Sequence, residues 1–518
     1  MFFKSTVKWP WCHFTVIKYF LSFEAWKMYV KMNSEKPPSS SFFLKVLNFK
    51  LFILLLFVAS SCIKKDLGKK QQPNILLINI DDLGWTDLSF MGSQYYETPH
   101  IVQLANEGMV FSRAYAAASN CAPARAALFS GQYSPRTGIY TVEDSDRGRP
   151  EQRKIIPTEN TWFLDQDNLT MSEVLQQNGY KTAHIGKWHI SKDPTTFGID
   201  VNIAGLEAGN PSGWGMGGYF SPYNNPHLEN GPEGECLTDR LTDETIAFLE
   251  TVEDQPFFIN YAPYIVHTPI QPKPDLEKKY MEKMSTDRHD NPGYAAMVET
   301  MDTNVGRLID YLRESGKYQN TLIIFTSDNG ALYEISRQWP LRAGKGSYFE
   351  GGIRVPMIAV WEGKIQPGSF SQEVVTQIDY YPTFLDVAGI AKPDEKILDG
   401  NSLLPVFNGG NLSERPLFWH FPIYLQAYED DNPDTHDTYF RTRPGSVILE
   451  YPWKLHEYFE DGRLELYNLE LDIREQSNLV EYFPEKVNEL HTILKNWRQD
   501  LQAPVPTELN PDYINYRN

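Results

Sequence analysis

Two short stretches of this chain are almost wholly apolar, and each ends in a cluster of oxygen-bearing side chains. Asn74-Ile-Leu-Leu-Ile-Asn-Ile80 runs into Asp81-Asp82, and Thr321-Leu-Ile-Ile-Phe-Thr326 runs into Ser327-Asp328-Asn329-Gly330. A run of that length with no polar face suits a strand buried on both sides of a sheet. A third run, Pro256-Phe-Phe-Ile-Asn-Tyr-Ala262, leads towards His267. Helical spacing fills the intervals: Ile101 to Gly108, a helix opening at Arg125 after Pro123, Leu169 to Gly179 with Thr170 as N-cap, and Asn291 to Gly316. The predicted class is α/β, a large mixed sheet flanked by helices on both faces.

Near residue 390 the texture changes. Short strands are predicted at Pro416 to Phe421, Ser446 to Phe459 and Leu464 to Leu469, with a hairpin turn at Glu460-Asp461-Gly462-Arg463 and a helix over 484–502. The expected organisation is a leader over 1–62, a tether over 63–72, a large α/β domain over 73–390 and a smaller domain of antiparallel sheet plus helix over 391–518. In the leader, Lys45 and Lys50 precede the apolar run Leu51 to Val58, then Ala-Ser-Ser-Cys62. That order suits a secretory signal, and the run is too short to span a bilayer as a helix. Ala-Ser-Ser-Cys62 resembles a loose bacterial lipobox, with Cys62 the lipidated residue and Met32 an alternative start. An ordinary signal peptide is the competing reading.

The net charge is −19. The first 61 residues carry eight Lys and two Glu, so the remainder is more acidic still. That excludes nucleic acid as a bulk electrostatic partner, and an anionic ligand would need a local basic pocket. With Cys12 and Cys62 in the leader and Cys121 claimed by a motif, Cys236 is left alone and no disulfide framework is expected.

Asp81, Asp82, Asp328 and Asn329 are hard oxygen donors of the kind that bind Ca²⁺, and each pair follows a buried strand, where α/β sheets bind ligands. Between them lies Cys121-Ala-Pro123-Ala-Arg125-Ala-Ala-Leu128-Phe-Ser-Gly131. This Cys-x-Pro-x-Arg segment, in that order with the acidic pairs, resembles the signature of the formylglycine-dependent sulfatases of the alkaline phosphatase superfamily. Gly186-Lys187-Trp188-His189, Arg342-Ala-Gly344-Lys345-Gly346 and His267-Thr-Pro269 resemble further stretches of that family. Ala124 and Ser130 depart from its more usual Ser and Thr. The likeness runs from about Asn74 to Pro356.

The resemblance implies an alkaline phosphatase-like fold and a sulfuric ester hydrolase. It implies that a maturation enzyme oxidises Cys121 to formylglycine, whose gem-diol attacks the sulfur of a sulfate ester. One Ca²⁺ would be held by Asp81, Asp82, Asp328, Asn329 and residue 121. Lys187 and Lys345 would hold the sulfate oxygens, Arg125 the formylglycine oxygen, His189 would assist collapse of the adduct, and His267 would protonate the leaving alcohol. A tight turn after Gly186 would aim Lys187 and His189 inward together, and glycines beside Lys345 would let the backbone approach an anion. The expected substrate is a sulfated polysaccharide or its oligosaccharides, of ulvan, carrageenan or fucoidan type. The expected location is the bacterial outer membrane, through a lipid anchor, or the periplasm. His227, His420, His436, Arg441 and Arg443 are candidate substrate contacts, with ordinary surface charge the alternative. Rival functions are a phosphodiesterase or phosphonate monoester hydrolase of the same superfamily, and a non-catalytic glycan-binding protein.

Overall fold

Seven of the eight strands of the main sheet point the same way, and the sequence reason is visible in the burial of the central ones. The strands are β1 (Asn74–Ile80), β2 (Met109–Tyr115), β3 (Lys181–Gly186), β4 (Val201–Ile203), β5 (Phe257–Ala262), β6 (Thr321–Ser327), β7 (Met357–Val360) and β8 (Ser369–Thr376). The computed structural model describes residues 72–286, 289–427, 435 and 437–515. The leader with Cys62, residues 63–71 of the tether, and His436 lie outside the described residues.

The sheet order is β4-β3-β5-β1-β6-β7-β2-β8. β1 pairs in parallel with β5 and β6, β3 with β5 and β4, and β2 with β8. β7 alone runs antiparallel, against both β6 and β2. The sheet is therefore mixed, with β1 at its centre. Ile75, Leu76, Leu77, Ile78 and Ile80 are fully buried, and burying each such side chain stabilises the fold by about 1.5–3 kcal/mol. Leu76, Ile78 and Ile80 pack with helices α1 (Pro99–Glu107), α4 (Leu237–Thr251) and α5 (Pro292–Glu314). Ile75 and Leu77 face the other way, onto α2 (Cys121–Ser130), α3 (Met171–Gln177) and α6 (Tyr380–Ala388). Side chains alternate across a strand, so a strand covered on both faces must be apolar throughout.

Residues beyond 390 stay on this core for a time: Leu403, Val406 and Phe407 belong to it. The second, antiparallel sheet begins with β9 (Leu417–Phe421). A ribbon of β10 (Leu425–Gln426) and β11 (Phe440–Thr442) follows, then β12 (Gly445–Glu450), β13 (Trp453–Tyr458) and β14 (Leu464–Asn468). Its order is β14-β13-β12-β9. Val487, Leu490 and Leu494 of α7 (Pro484–Asp500) cover one face, where Trp497 stacks on Phe418 at 4.6 Å. The described residues from Gln72 onward form one compact unit. Among them, no helix is long and apolar enough to cross a membrane.

Two expectations need correction. The stretch from Ser446 to Phe459 is a hairpin rather than one strand: it folds at Tyr451-Pro452 between β12 and β13, since proline cannot donate to a ladder. Helix α2 opens at Cys121, four residues before Arg125. Pro123 is accommodated because first-turn amides have no helical acceptor to lose.

Two core histidines give the fold a predictable acid response. His184 Nδ1 accepts from the Asn260 amide at 2.9 Å, and its Nε2–H donates to the Gly186 carbonyl at 3.0 Å. His420 Nδ1 accepts from Ser446 Oγ at 2.7 Å, and Nε2–H donates to the Pro504 carbonyl at 2.9 Å. Burial pushes both down to about 3. In the unfolded chain a histidine takes up its proton near pH 6.5. Between those values the unfolded state binds more protons, so stability rises with pH. This contribution is complete above about pH 6.5 and is lost as pH falls towards 3. The melting temperature is expected to drop from pH 7 to pH 5, with a shallower drop in His420→Asn. An unchanged slope in that variant would refute the assignment.

Candidate functional site

The carboxyl ends of β1, β3, β5 and β6 converge on one cluster of buried side chains. Backbone hydrogen bonds tie the exits together: Asp81 N to Ile265 O at 3.2 Å, Val266 N to Asp81 O at 2.9 Å, Asp328 N to Ile80 O at 3.0 Å and Lys187 N to Ala262 O at 2.7 Å. After β3 the chain turns at Gly186, φ +102°, where a Cβ would stand 2.1 Å from the Ala262 carbonyl oxygen. Trp188 then drops into the core against Phe129 and Phe197. Lys187 and His189, on either side of it, are left for the charged cluster, as the tight turn predicts. Asp82, His189 and Ala343 all hold positive φ, at 60°, 68° and 57°. Such conformations cost of order 1–3 kcal/mol each and gather at functional sites.

Three buried carboxylates meet three buried cations. Lys187 Nζ donates to both oxygens of Asp81 at 2.8 Å. Lys345 Nζ donates to Asp82 at 2.8 Å. Arg125 grips Asp328 through Nε and Nη2, each at 2.9 Å, lies 3.7 Å from Asp81, and donates from Nη1 to the Lys187 carbonyl at 2.8 Å. The Asp82 amide donates to Asp328 at 3.1 Å, and the Asn329 amide donates to Asp82 at 2.7 Å. Burial pushes Asp81 up to about 8 against the pull of Lys187, with Asp328 and Asp82 adding to the rise. At Asp82 burial also pushes upward, but Lys345, His267 and Lys187 outweigh it and hold the group below the usual range. Arg125 and Lys187 do the same for Asp328.

The donor set fits a hard divalent cation. Asn329 Oδ1 is buried and, among the described residues, has no hydrogen-bond partner. An acceptor left without a donor on the residue whose amide meets Asp82 is the kind of oxygen a divalent cation would take. Asp81, Asp82 and His267 also bring ligand atoms within 4.8 Å of one another. His267 enters this group unexpectedly, since sequence reading assigned it to the leaving alcohol.

Cys121 is buried at the first turn of α2, and Arg125 stands one turn further on. Residues four apart share a helix face, so the Arg125–Asp328 pair fixes where Cys121 faces. The Lys345 loop reaches the same point through Gly346 N, which donates to the Ser119 carbonyl at 2.8 Å. Gly344 serves packing as well as access, because a Cβ there would stand 2.5 Å from the Ala331 carbonyl oxygen. His267 Nδ1–H donates to the Thr268 carbonyl at 2.6 Å, and Nε2 accepts from Lys345 Nζ at 3.1 Å, 3.6 Å from Asp82. Burial and Lys345 push His267 down to about 3. His189 is also held neutral, by burial first and then by Lys187, Arg125, Lys345 and His267, and its Nδ1 has no partner among the described residues.

The candidate substrate contacts fare differently. His420 is buried with both ring nitrogens engaged, so it has none to offer a sugar. Arg443, named as a candidate substrate contact, spends its charge on Asp437 and Glu460. Arg441 is buried and donates to the Gln426 and Lys345 carbonyls at 2.9 and 3.3 Å. It supports the Lys345 loop. His227 is exposed, and its carbonyl accepts from Ala204 N at 3.0 Å.

Sequence reasoning missed three residues. Asp87 is fully buried behind Asp82 and accepts from Gly84 N, Tyr294 Oη, Ser336 Oγ and Gln338 Nε2 at 2.6–2.9 Å. Its spacing from Asp81-Asp82 was the available signal. Glu475, also fully buried, touches the Lys345 loop. Trp214 is 70% exposed at φ +62°, within a glycine-rich loop. At one end of that loop a Cβ on Gly209 would meet the His189 ring at 2.6 Å. Just past its other end, Tyr219 Oη donates to the His267 carbonyl at 2.8 Å.

Comparison with known proteins agrees with this geometry. The Sulfatase family model matches residues 73–390, and that of the N-sulphoglucosamine sulphohydrolase C-terminal region matches 344–503. A "Sulfatase" of Formosa agariphila is 36% identical, with 85% of this chain and 89% of that protein covered. An N-acetylgalactosamine-6-sulfatase of Canis lupus familiaris is 32% identical, covering 72% of this chain and 73% of the relative. Among solved structures, Ps i-CgsB in complex with k-i-k-neocarrahexaose superimposes with a TM-score of 0.68 at 29% identity, over 84% of this chain and 94% of that one. With three carboxylates and three cations converging beside Cys121, and with matches of this extent, the chain belongs to the sulfatase family and is a sulfuric ester hydrolase.

Proposed function

We propose that this enzyme removes sulfate from a sulfated carbohydrate, using residue 121 matured to formylglycine and one Ca²⁺ held by Asp81, Asp82, Asp328, Asn329 and residue 121. The observation that carries the reading is the balanced set of three buried carboxylates and three buried cations around the start of α2. When bound, Ca²⁺ would polarise a sulfate oxygen and offset its charge. The hydrated aldehyde would supply a nucleophile that can later release sulfate by reforming the carbonyl.

The chain's own groups have separable tasks. A divalent ion added to a balanced cluster leaves it positive, which accounts for anion binding by an acidic protein. Lys187 and Lys345 are the ammonium groups that would turn to the sulfate oxygens. Arg125, anchored on Asp328, orients residue 121. His189 is the base, being neutral with a lone pair to offer. The leaving oxygen takes its proton from the Lys345–His267 pair, since Thr268 fixes the His267 tautomer and leaves Nε2 facing the lysine.

Carbohydrate is favoured as the substrate class by the names of the relatives above and by Trp214. Its exposed face, in a loop whose ends lie by His189 and His267, is a surface on which a sugar ring can pack. We further propose export through residues 1–62, with Cys62 lipidated, and maturation by a formylglycine-generating enzyme.

The test is sulfate release, followed by ion chromatography, from defined sulfated oligosaccharides after co-expression with the maturation enzyme. Peptide mass spectrometry should find the aldehyde at position 121. Matured protein that releases no sulfate across carrageenan, fucoidan, ulvan and glycosaminoglycan fragments, yet cleaves an aryl sulfate, would sink the carbohydrate assignment.

A further inference from the structure

We infer that the C-terminal sheet positions Lys345, and that Glu475 is the residue through which it does so. The inference rests on the reading of Lys345 as a sulfate-holding group. Lys345 sits in the stretch 342–352, which contains Gly344, Gly346, Gly351 and Gly352. Glycines leave a backbone permissive, so the shape of this loop must be imposed by what it packs against.

Glu475 grips the loop at two points. Its main-chain carbonyl accepts from Arg342 Nη1 at 2.7 Å, and its Oε2 accepts from the Glu350 amide at 2.6 Å. Arg342 in turn lies 3.7 Å over the Phe349 ring, drawing the two ends of the loop together. The other oxygen, Oε1, pairs with Lys454 Nζ of β13 at 2.9 Å, with His456 Nε2 at 3.5 Å. Lys454 also reaches Glu350 Oε1 at 2.9 Å, while Glu350 Oε2 accepts from Tyr115 Oη at 3.0 Å and Arg354 Nη1 at 3.2 Å. Glu475, Glu350 and Lys454 are all fully buried. Removing one member of such a set leaves buried charge unpaired. From the separate β10-β11 ribbon, Arg441 holds the Lys345 carbonyl itself. Glu475 touches no reacting group in this arrangement. It is a positioning residue, and it follows β14 in a segment whose neighbour Leu471 is 84% exposed.

The experiment is a double-mutant cycle in the matured full-length enzyme. KM and kcat for an aryl sulfate, and the inhibition constant of inorganic sulfate, are measured for Glu475→Ala, Lys345→Ala and the double variant, with melting temperatures alongside. Glu475→Ala should raise KM and the sulfate inhibition constant together by about tenfold, the scale of one lost interaction. In the Lys345→Ala background the same change should add nothing, because coupled residues are non-additive. Glu475→Gln keeps an oxygen for the Glu350 amide but loses the charge facing Lys454. It should shift both constants by about threefold and carries the test if the alanine variant does not fold. Effects that multiply in the double variant, or a lower melting temperature with both constants unmoved, overturn the inference. Lys345→Ala with unchanged constants overturns the underlying reading of Lys345 instead, and this inference with it.

Discussion

Cys121→Ala is expected to abolish sulfate-ester hydrolysis, lowering kcat by on the order of 10⁴-fold or more, the scale seen when a nucleophile is removed. The fold should survive. Cys121 is the first residue of α2, and the substitution removes a single sulfur atom. Alanine is also the best helix former. The loss would therefore be chemical, and a melting temperature close to that of the parent would say so. Cys121→Ser tests the same point with a hydroxyl in place. Activity within tenfold of the parent in the alanine variant would mean that the nucleophile lies elsewhere.

The second large effect is expected on stability. Arg125→Met strips Asp328 of two contacts at 2.9 Å and leaves the Lys187 carbonyl without its donor. Asp328 is fully buried. Leaving one partner of a buried ion pair uncompensated costs about 3–5 kcal/mol, and the melting temperature should fall by several degrees. The control is Arg307→Met. Arg307 pairs with Asp243, but the two are 40% and 54% exposed. Exposed pairs contribute about 0–1 kcal/mol, so that variant should melt close to the parent. Equal shifts in the two variants would show that burial is not what gives the Arg125 pair its weight.

Much of this enzyme was legible before any coordinates. β1 and β6 were readable because a strand covered on both faces tolerates almost no polar residue, which leaves an unbroken apolar run. The acidic pairs were readable as a site because each directly follows such a run. The turn after Gly186 was readable as what would let Lys187 and His189, on either side of Trp188, face inward together. Helix boundaries were less so. Pro123 suggested a late start for α2, yet a proline in the first turn loses no hydrogen bond.

The side chains whose partners are distant in sequence were not legible. Glu475 meets Glu350 across 125 positions, and Asp87 meets Ser336 across 249. Nothing in the residues flanking either carboxylate announces that partner. His420 and Arg443 read as substrate contacts by residue type alone, but a hydroxyl and a carbonyl occupy the first, and two carboxylates neutralise the second.

Local chain chemistry thus determined which strands are buried and which strand ends carry oxygen donors, because periodicity and turn preference act over a few residues. Only the tertiary structure decided which charges neutralise one another, which histidines keep a free nitrogen, and that the second sheet holds the Lys345 loop. Burial and pairing depend on what the rest of the chain brings alongside, and no window of sequence contains that.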